Sequence, residues 1–157
     1  MTVNIGIPDD SRQRVIAILN TLLADEFLLY TKTRNFHWNV TGPQFNDLHK
    51  FFESQYEALD ETIDEVAERA RALGGRAFGT LEEFRASARL GEKPGAVPAA
   101  RDMLATLLAD HEALIRTLRE DVTTVTERHQ DVGTADFLTG LLEEHEKAAW
   151  MLRSFLG

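Results

Sequence analysis

One stretch of this chain, opened by Thr41-Gly42-Pro43 and closed by Gly74-Gly75, reads as a single long helix, and that helix limits what the whole can become. Proline suits the first turn of a helix, and glycine the left-handed position just past its end. Between these marks Leu48, Phe52, Leu59, Ile63, Val66, Ala70 and Leu73 recur at helical steps and define one buried face. Beside that face lie His49, Glu53, Asp64 and Glu68. At about 100° per residue they fall at roughly 0°, 40°, 60° and 100°, one narrow polar stripe. A solvated charged face is the ordinary reading of such a stripe. Imidazole mixed with carboxylate is also the ligand set that suits iron and related divalent metals.

The axial distance is more restrictive. His49 and Asp64 stand about 22 Å apart at 1.5 Å rise per residue. Metal–ligand bonds are about 2 Å long, so these side chains cannot hold one ion within one chain. Either two unrelated half-sites exist or a second copy of the helix completes each one. A two-fold axis near Tyr56 and Glu57 would pair the helix antiparallel with its mate. The His49 end of one copy would then lie beside the Asp64–Glu68 end of the other, and an isologous contact would make the site twice. His37, twelve residues before His49, adds a second imidazole to the first half.

The rest of the chain is also helical. Asp9, Asp10 and Ser11 are candidate N-caps for a first helix reaching about Phe36, with Val15, Leu19, Leu22, Leu23 and Phe27 inward. Residues 76–96 form a long link in which Thr80-Leu81-Glu82-Glu83 predicts a capping box and a short helix. A third long helix spans about Pro98 to Arg128, with Met103, Leu107, Leu114, Leu118, Val122 and Val125 inward. Gly133-Thr134 separates it from a fourth, about Thr134 to Phe155, with Phe137, Leu141, Ala148, Leu152 and Phe155 inward. Four long helices with one long central link describe an all-α, ferritin-like four-helix bundle with a short extra helix between helices two and three. The expected organisation is a single domain over residues 1–157, with 1–9 as a tail.

Di-iron bundles of the ordinary kind carry Glu-x-x-His on two helices, pointing into the bundle. That motif is absent. His49, His111, His129 and His145 are preceded at −3 by Asn46, Leu108, Thr126 and Leu142. A metal site between chains agrees with this absence. His111, His129 and His145 have no ligand-spaced carboxylates and read as structural or surface histidines.

The run FHWNVTGPQF, the following LH, FE and LDETIDEVAERARALGG, and the terminal TADFLTGLLEEHEKAAWMLRSFL resemble the Dps family of mini-ferritins. The resemblance implies a hollow homododecamer with two-fold and three-fold contacts. It implies oxidation of Fe(II) to Fe(III) at two-fold interfaces, with hydrogen peroxide preferred over O2, and storage of the ferric product. Zn(II) or another divalent metal is a possible substitute at such sites. By position, His37 and His49 match the ferroxidase histidines of one subunit, and Asp64 and Glu68 the carboxylates of its neighbour. Glu53 falls where the family more often has Asp, so direct ligation and a supporting role both stay open. Trp38, beside His37, is either an electron donor that quenches stray oxidant or a packing residue at the dimer contact. Asp136 falls where the family places pore-lining acids around a three-fold axis, with Asp131 as a possible contributor. Stabilisation of the helix start is the other reading of these acids.

Bulk composition narrows the partners. There is no cysteine, so disulfides, thiolate metal sites and cysteine nucleophiles are excluded. No stretch is long and apolar enough for a membrane span, and no signal peptide is visible at the N-terminus, so a cytoplasmic location is expected. With 17 basic and 26 acidic residues the net charge is −9, which repels phosphate backbones and attracts cations. Residues 1–11 contain no Lys or Arg, and neither end offers a basic arm. DNA binding is therefore expected to be weak or absent. A nucleoid-compacting protein with secondary iron chemistry is the competing reading. A helical assembly with a degraded metal site is a third, opposed by the presence of both histidines and three acids.

Overall fold

The computed structural model describes residues 3–157; residues 1–2 of the expected tail lie outside the described residues. Helix α1 spans Asp9–Asn39, α2 Phe45–Ala72, α3 Leu81–Ser87, α4 Ala100–Glu127 and α5 Val132–Leu156. α1 packs chiefly against α2, and α4 against α5, so the bundle is two helical hairpins joined by the long link that contains α3. Among the described residues no helix is long and apolar enough to cross a membrane.

The core follows the sequence pattern. Val15, Leu19, Leu22 and Leu23 of α1 are buried with Leu48, Phe52, Leu59, Val66 and Ala70 of α2. Met103, Leu107, Leu114, Leu118 and Val125 of α4 meet Leu138, Leu141 and Leu152 of α5 in the same cluster. Phe27, Ile63, Val122, Phe137 and Phe155 are only partly buried and rim the core. In α5 the inward alanine is Ala149, fully buried, whereas Ala148 is half-buried.

Helix ends explain the differences from the sequence reading. α1 begins after Pro8, so Asp9 and Asp10 are first-turn acids and cap nothing with their side chains. Acids there still favour the positive end of the helix dipole. α1 also runs on past Phe36 to Asn39, which carries His37 into the helix. α2 begins at Phe45, placing Pro43 before the helix and not in its first turn. Its other end is as expected: Gly74 has φ +83°, and the Gly74 and Gly75 amides donate to the Arg71 and Ala70 carbonyls. That double bond is a Schellman motif. Glycine is required there by contact too, because a Cβ on Gly74 would stand 2.4 Å from Val3 Cγ2.

The predicted capping box forms at α3. Thr80 Oγ1 accepts from the Glu83 amide at 3.2 Å, and Glu83 Oε2 accepts from the Thr80 amide at 3.2 Å. The Arg76 guanidinium and the Gly79 amide hold the Glu83 carboxyl down to about 2. α5 begins at Val132, one residue before Gly133, so the glycine lies inside the helix. The chain turns at Gln130, which takes φ 54°, and Asp131 caps α5 by accepting from the Thr134 amide at 3.0 Å.

Three polar side chains of α1 fasten the rest of the chain to it. Arg12 Nη1 donates to the Leu73 carbonyl at 2.8 Å, tying the start of α1 to the end of α2. Asn20 donates to the Arg76 carbonyl and accepts from the Phe78 amide, both at 2.9 Å. Asp25, fully buried, accepts from the Arg89 and Leu90 amides at 2.6 and 3.1 Å and from Arg89 Nε at 2.7 Å. A buried carboxylate is tolerated because three donors, one of them the Arg89 guanidinium, fill its oxygens. These fastenings fix where the link and α3 lie relative to the polar stripe of α2.

Candidate metal centre

His37 and His49 meet where the last turn of α1 faces the start of α2. His37 Nδ1 lies 2.7 Å from the His49 carbonyl oxygen, and His49 Nδ1 lies 2.9 Å from that of His37. A carbonyl only accepts, so each Nδ1 carries a hydrogen and donates it to the other residue's backbone. In the neutral ring that tautomer puts the lone pair on Nε2, the atom through which imidazole binds a metal. The rings stack with centroids 3.8 Å apart and planes 19° apart. Phe45 stacks on the outer side of His49 at 5.1 Å, and Tyr56 meets His37 edge-on at 5.2 Å. Both rings are thus fixed in rotation before any ion arrives.

Glu53 is half-buried one turn beyond His49. Burial raises the Tyr56 phenol, and the Glu53 charge raises it further. Beside them Arg34 lies over three rings, 4.6 Å from the centre of Tyr56, 5.3 Å from Trp38 and 5.5 Å from Tyr30. Its Nη1 also donates to the Tyr30 hydroxyl at 2.5 Å, the main cause that raises the guanidinium. Cation–π contact therefore clamps the aromatic wall of the histidine pair. Trp38 remains 65% exposed despite this contact. With Phe45, also exposed beside the histidine pair, it offers apolar surface suited to a partner.

Asp64 and Glu68 are exposed, further along α2. Asp64 lies on the rim of a cleft of about 560 Å³ whose apolar lining includes Leu23, Phe27, Ile63 and Phe84. Among the described residues no three His, Asp or Glu side chains of one chain are placed to hold an ion. The structure therefore brings His37 and His49 together, puts Glu53 close by, and leaves Asp64 and Glu68 at the far end of the stripe.

Asp136 is exposed in α5 and takes part in no ion pair among the described residues. The acid that serves the helix start is Asp131, which is buried, caps α5 and accepts from Arg69 at 3.3 Å. Its carboxylate is consumed inside the subunit, which removes the expected contribution of Asp131 to a pore. His129 is half-buried, with Nδ1 3.3 Å from Ser11 Oγ, a structural position. His111 and His145 are not surface residues at all. Both are buried, and His145 Nε2 lies 2.8 Å from Glu26 Oε1. Glu26 was missed in the sequence. Its signal is its place on the apolar stripe of α1, between Leu22 and Leu29, where a charged residue is out of pattern.

Comparison with known proteins places this architecture among the ferritin-like proteins: the ferritin-like domain model matches residues 16–157. The chain is 54% identical over 154 residues to an uncharacterized low temperature-induced protein of Nostoc sp., covering 98% of this chain and 86% of that one. It is 38% identical over 144 residues to DNA protection during starvation protein 2 of Bacillus anthracis, covering 92% and 97%. The Dps protein of Vibrio cholerae superposes with a TM-score of 0.92 at 30% identity, covering 100% of this chain and 98% of that one. That structure is described as a member of a broad superfamily of ferritin-like diiron-carboxylate proteins. The chain belongs to the Dps family within the ferritin-like fold.

Proposed function

We propose that the protein is an iron-oxidising and iron-storing mini-ferritin whose ferroxidase site forms between two copies of the chain. The observation that carries this reading is the division of the ligands. Two imidazoles with their lone pairs put on Nε2 by reciprocal Nδ1–carbonyl bonds stand at one end of the stripe. Two exposed carboxylates, Asp64 and Glu68, stand about 22 and 28 Å further along the helix at the other. Antiparallel pairing of two stripes brings each half to its complement, with His37 and His49 from one chain and Asp64 and Glu68 from the next. Glu53 supplies either a direct bond or a charge beside it.

Fe(II) is the substrate. Neutral imidazole accepts Fe(II), and the hard carboxylate oxygens increasingly favour Fe(III). Two Fe(II) ions each give up one electron to a peroxide, whose O–O bond breaks to two hydroxides. Pairing the electrons avoids the hydroxyl radical that a single-electron step would release, which is the protective value of the reaction. O2 is the slower alternative oxidant. The ferric product collects within a closed homododecamer. Trp38, next to His37 in sequence and exposed, serves as packing against the second copy or as a sacrificial electron donor. The site of action is the cytoplasm.

Crystals soaked in Fe(II), or in Zn(II) as a redox-inert substitute, test the shared site. Anomalous density is expected between His37 and His49 of one chain and Asp64 and Glu68 of another. Density bonded to ligands of a single chain alone would refute it.

The relatives' names raise DNA as a second partner. The net charge of −9 opposes direct capture of a phosphate backbone. In a gel-shift assay at about 0.15 M salt, no retardation of linear duplex is expected at low micromolar protein. Salt-resistant retardation would make nucleic-acid binding a primary function.

A further inference from the structure

The centre of the bundle contains a polar chain that neither the two-fold site nor the pore employs. Glu26 of α1, His145 of α5 and His111 of α4 are 0%, 4% and 3% exposed. His145 Nε2 is 2.8 Å from Glu26 Oε1, and His145 Nδ1 is 2.9 Å from His111 Nδ1. The second Glu26 oxygen is buried without a hydrogen-bond partner. α2 and α3 turn no titratable side chain into the core; their buried residues are apolar apart from Thr62. The other buried ionisable groups are occupied elsewhere: Arg12 with Asp9, Asp25 with Arg89, Asp131 with Arg69, and His37 with His49. Glu144, next to His145 and exposed, adds a distant negative charge.

The geometry limits how many protons this chain can carry. A carboxylate only accepts, so His145 Nε2 carries a hydrogen. Between two Nδ1 atoms 2.9 Å apart there is room for one hydrogen. If His111 supplies it, both rings are neutral and the Glu26 charge is buried alone. If His145 supplies it, His145 is an imidazolium, His111 is neutral and the group as a whole carries no net charge. A further proton would set two N–H bonds head to head. Burying an unpaired charge is costly, which favours the second arrangement.

We propose that Glu26, His145 and His111 form a one-proton lock joining α1, α5 and α4: the native bundle keeps His145 as an imidazolium between Glu26 and His111, and refuses the additional proton that acid would supply. Burial lowers the His111 imidazole well below its ordinary value, and the neighbouring His145 lowers it further. Burial also lowers His145, but the charge and hydrogen bond of Glu26 outweigh it and raise the value overall. The consequences have opposite signs. Unfolded, both imidazoles titrate at about 6.5. Below that pH the unfolded chain gains a proton at His111 that the native bundle rejects, so native stability falls with pH. The His145 contribution is complete below about 6.5 and is lost as pH rises through its raised native value. His111 therefore sets the acid limb of stability and His145 the alkaline limb.

Nitrogen-15 NMR of histidine-labelled, sedimented native protein tests the lock, with single His111→Gln and His145→Gln variants assigning the signals. At pH 7 His145 is expected to be mostly imidazolium and His111 neutral, and His111 is expected to stay neutral to pH 5.5. Glu26→Gln keeps an acceptor for Nε2 but removes the charge, and is expected to make His145 neutral at pH 7. A neutral His145 in the unmodified protein, an imidazolium unaffected by Glu26→Gln, or titration of His111 near 6.5 would each overturn the proposal. A denaturation series adds an independent readout. Between pH 6.5 and 5.5 the folding constant of the unmodified protein is expected to fall about fivefold more than that of His111→Leu. Equal losses would count against the lock. If the variants do not fold, the titration of the unmodified protein alone decides.

Discussion

Mixing a His37→Ala, His49→Ala variant with an Asp64→Ala, Glu68→Ala variant is expected to restore an Fe(II) oxidation that neither has alone. In a two-fold pair of unlike chains, one site collects both damaged halves and the other collects both intact halves. With random pairing about half of the dimers are mixed, and each mixed dimer has one working site of two. Recovery should therefore approach about a quarter of the unmodified rate per chain. The parents should be inactive for different reasons. One lacks the imidazoles oriented by the reciprocal backbone bonds, and the other lacks the exposed carboxylates of the far end. Stopped-flow measurement of Fe(II) oxidation with peroxide, after subunit exchange proven by mass spectrometry, supplies the test. No recovery after proven exchange would eliminate the shared site. Activity in either parent would show that one chain's ligands suffice.

Glu53 can be placed by the same assay. As a direct ligand on the histidine side, Glu53→Ala should be rescued by the Asp64→Ala, Glu68→Ala chain and not by the His37→Ala, His49→Ala chain. Glu53→Gln separates charge from reach, since it keeps the length of the side chain. Its half-buried position next to Tyr56 makes the two roles distinguishable by rate, because a supporting charge can be lost with a smaller penalty than a bond to iron.

The α2 stripe was legible from sequence because a long uninterrupted helix turns spacing into geometry. Offsets give the face, and rise gives the distance that forbids a one-chain site. The α3 capping box was legible for a similar local reason: Thr80 and Glu83 satisfy one another's neighbours without help from elsewhere. Other helix ends depended on what the chain meets later. Gly133 looks like a breaker, yet it lies inside α5, because Asp131 caps the helix and Gln130 absorbs the turn. A Cβ at Gly133 would come within 3.1 Å of Arg69 Nη2, so glycine serves a close approach there. The His37–His49 exchange of hydrogen bonds was beyond reach, since it needs the end of one helix to meet the start of the next. Likewise, a search for Glu-x-x-His cannot find Glu26, His111 and His145, which come from three helices at distant sequence positions. Only the intrusion of Glu26 into an apolar stripe marked them.

Replacing Asp136 by Asn is expected to slow iron uptake while leaving the two-fold chemistry intact. The structure makes this substitution cleaner than the sequence suggested. The helix-start role belongs to Asp131, whose carboxylate is buried in contact with Thr134 and Arg69. Asp136 is exposed and has no ion pair among the described residues. Removing its charge should therefore change stability by no more than about 0.5 kcal/mol. In a three-fold assembly, three such carboxylates would face a narrow channel whose low-dielectric walls focus their field on an approaching cation. Fields of this kind raise encounter rates by about 10- to 1000-fold, so a loss of about tenfold in initial Fe(II) oxidation is expected at low ionic strength. At about 0.15 M salt the exposed part of the field is screened within about 8 Å, and the gap between the two proteins should narrow. A defect in uptake alone also predicts that Asp136→Asn, once disassembled to dimers with the two-fold sites exposed, oxidises Fe(II) as fast as unmodified dimers do. Equal rates for the intact assemblies at low salt would exclude Asp136 from the route of iron. Unequal rates that persist in the dimers would place its effect at the two-fold site.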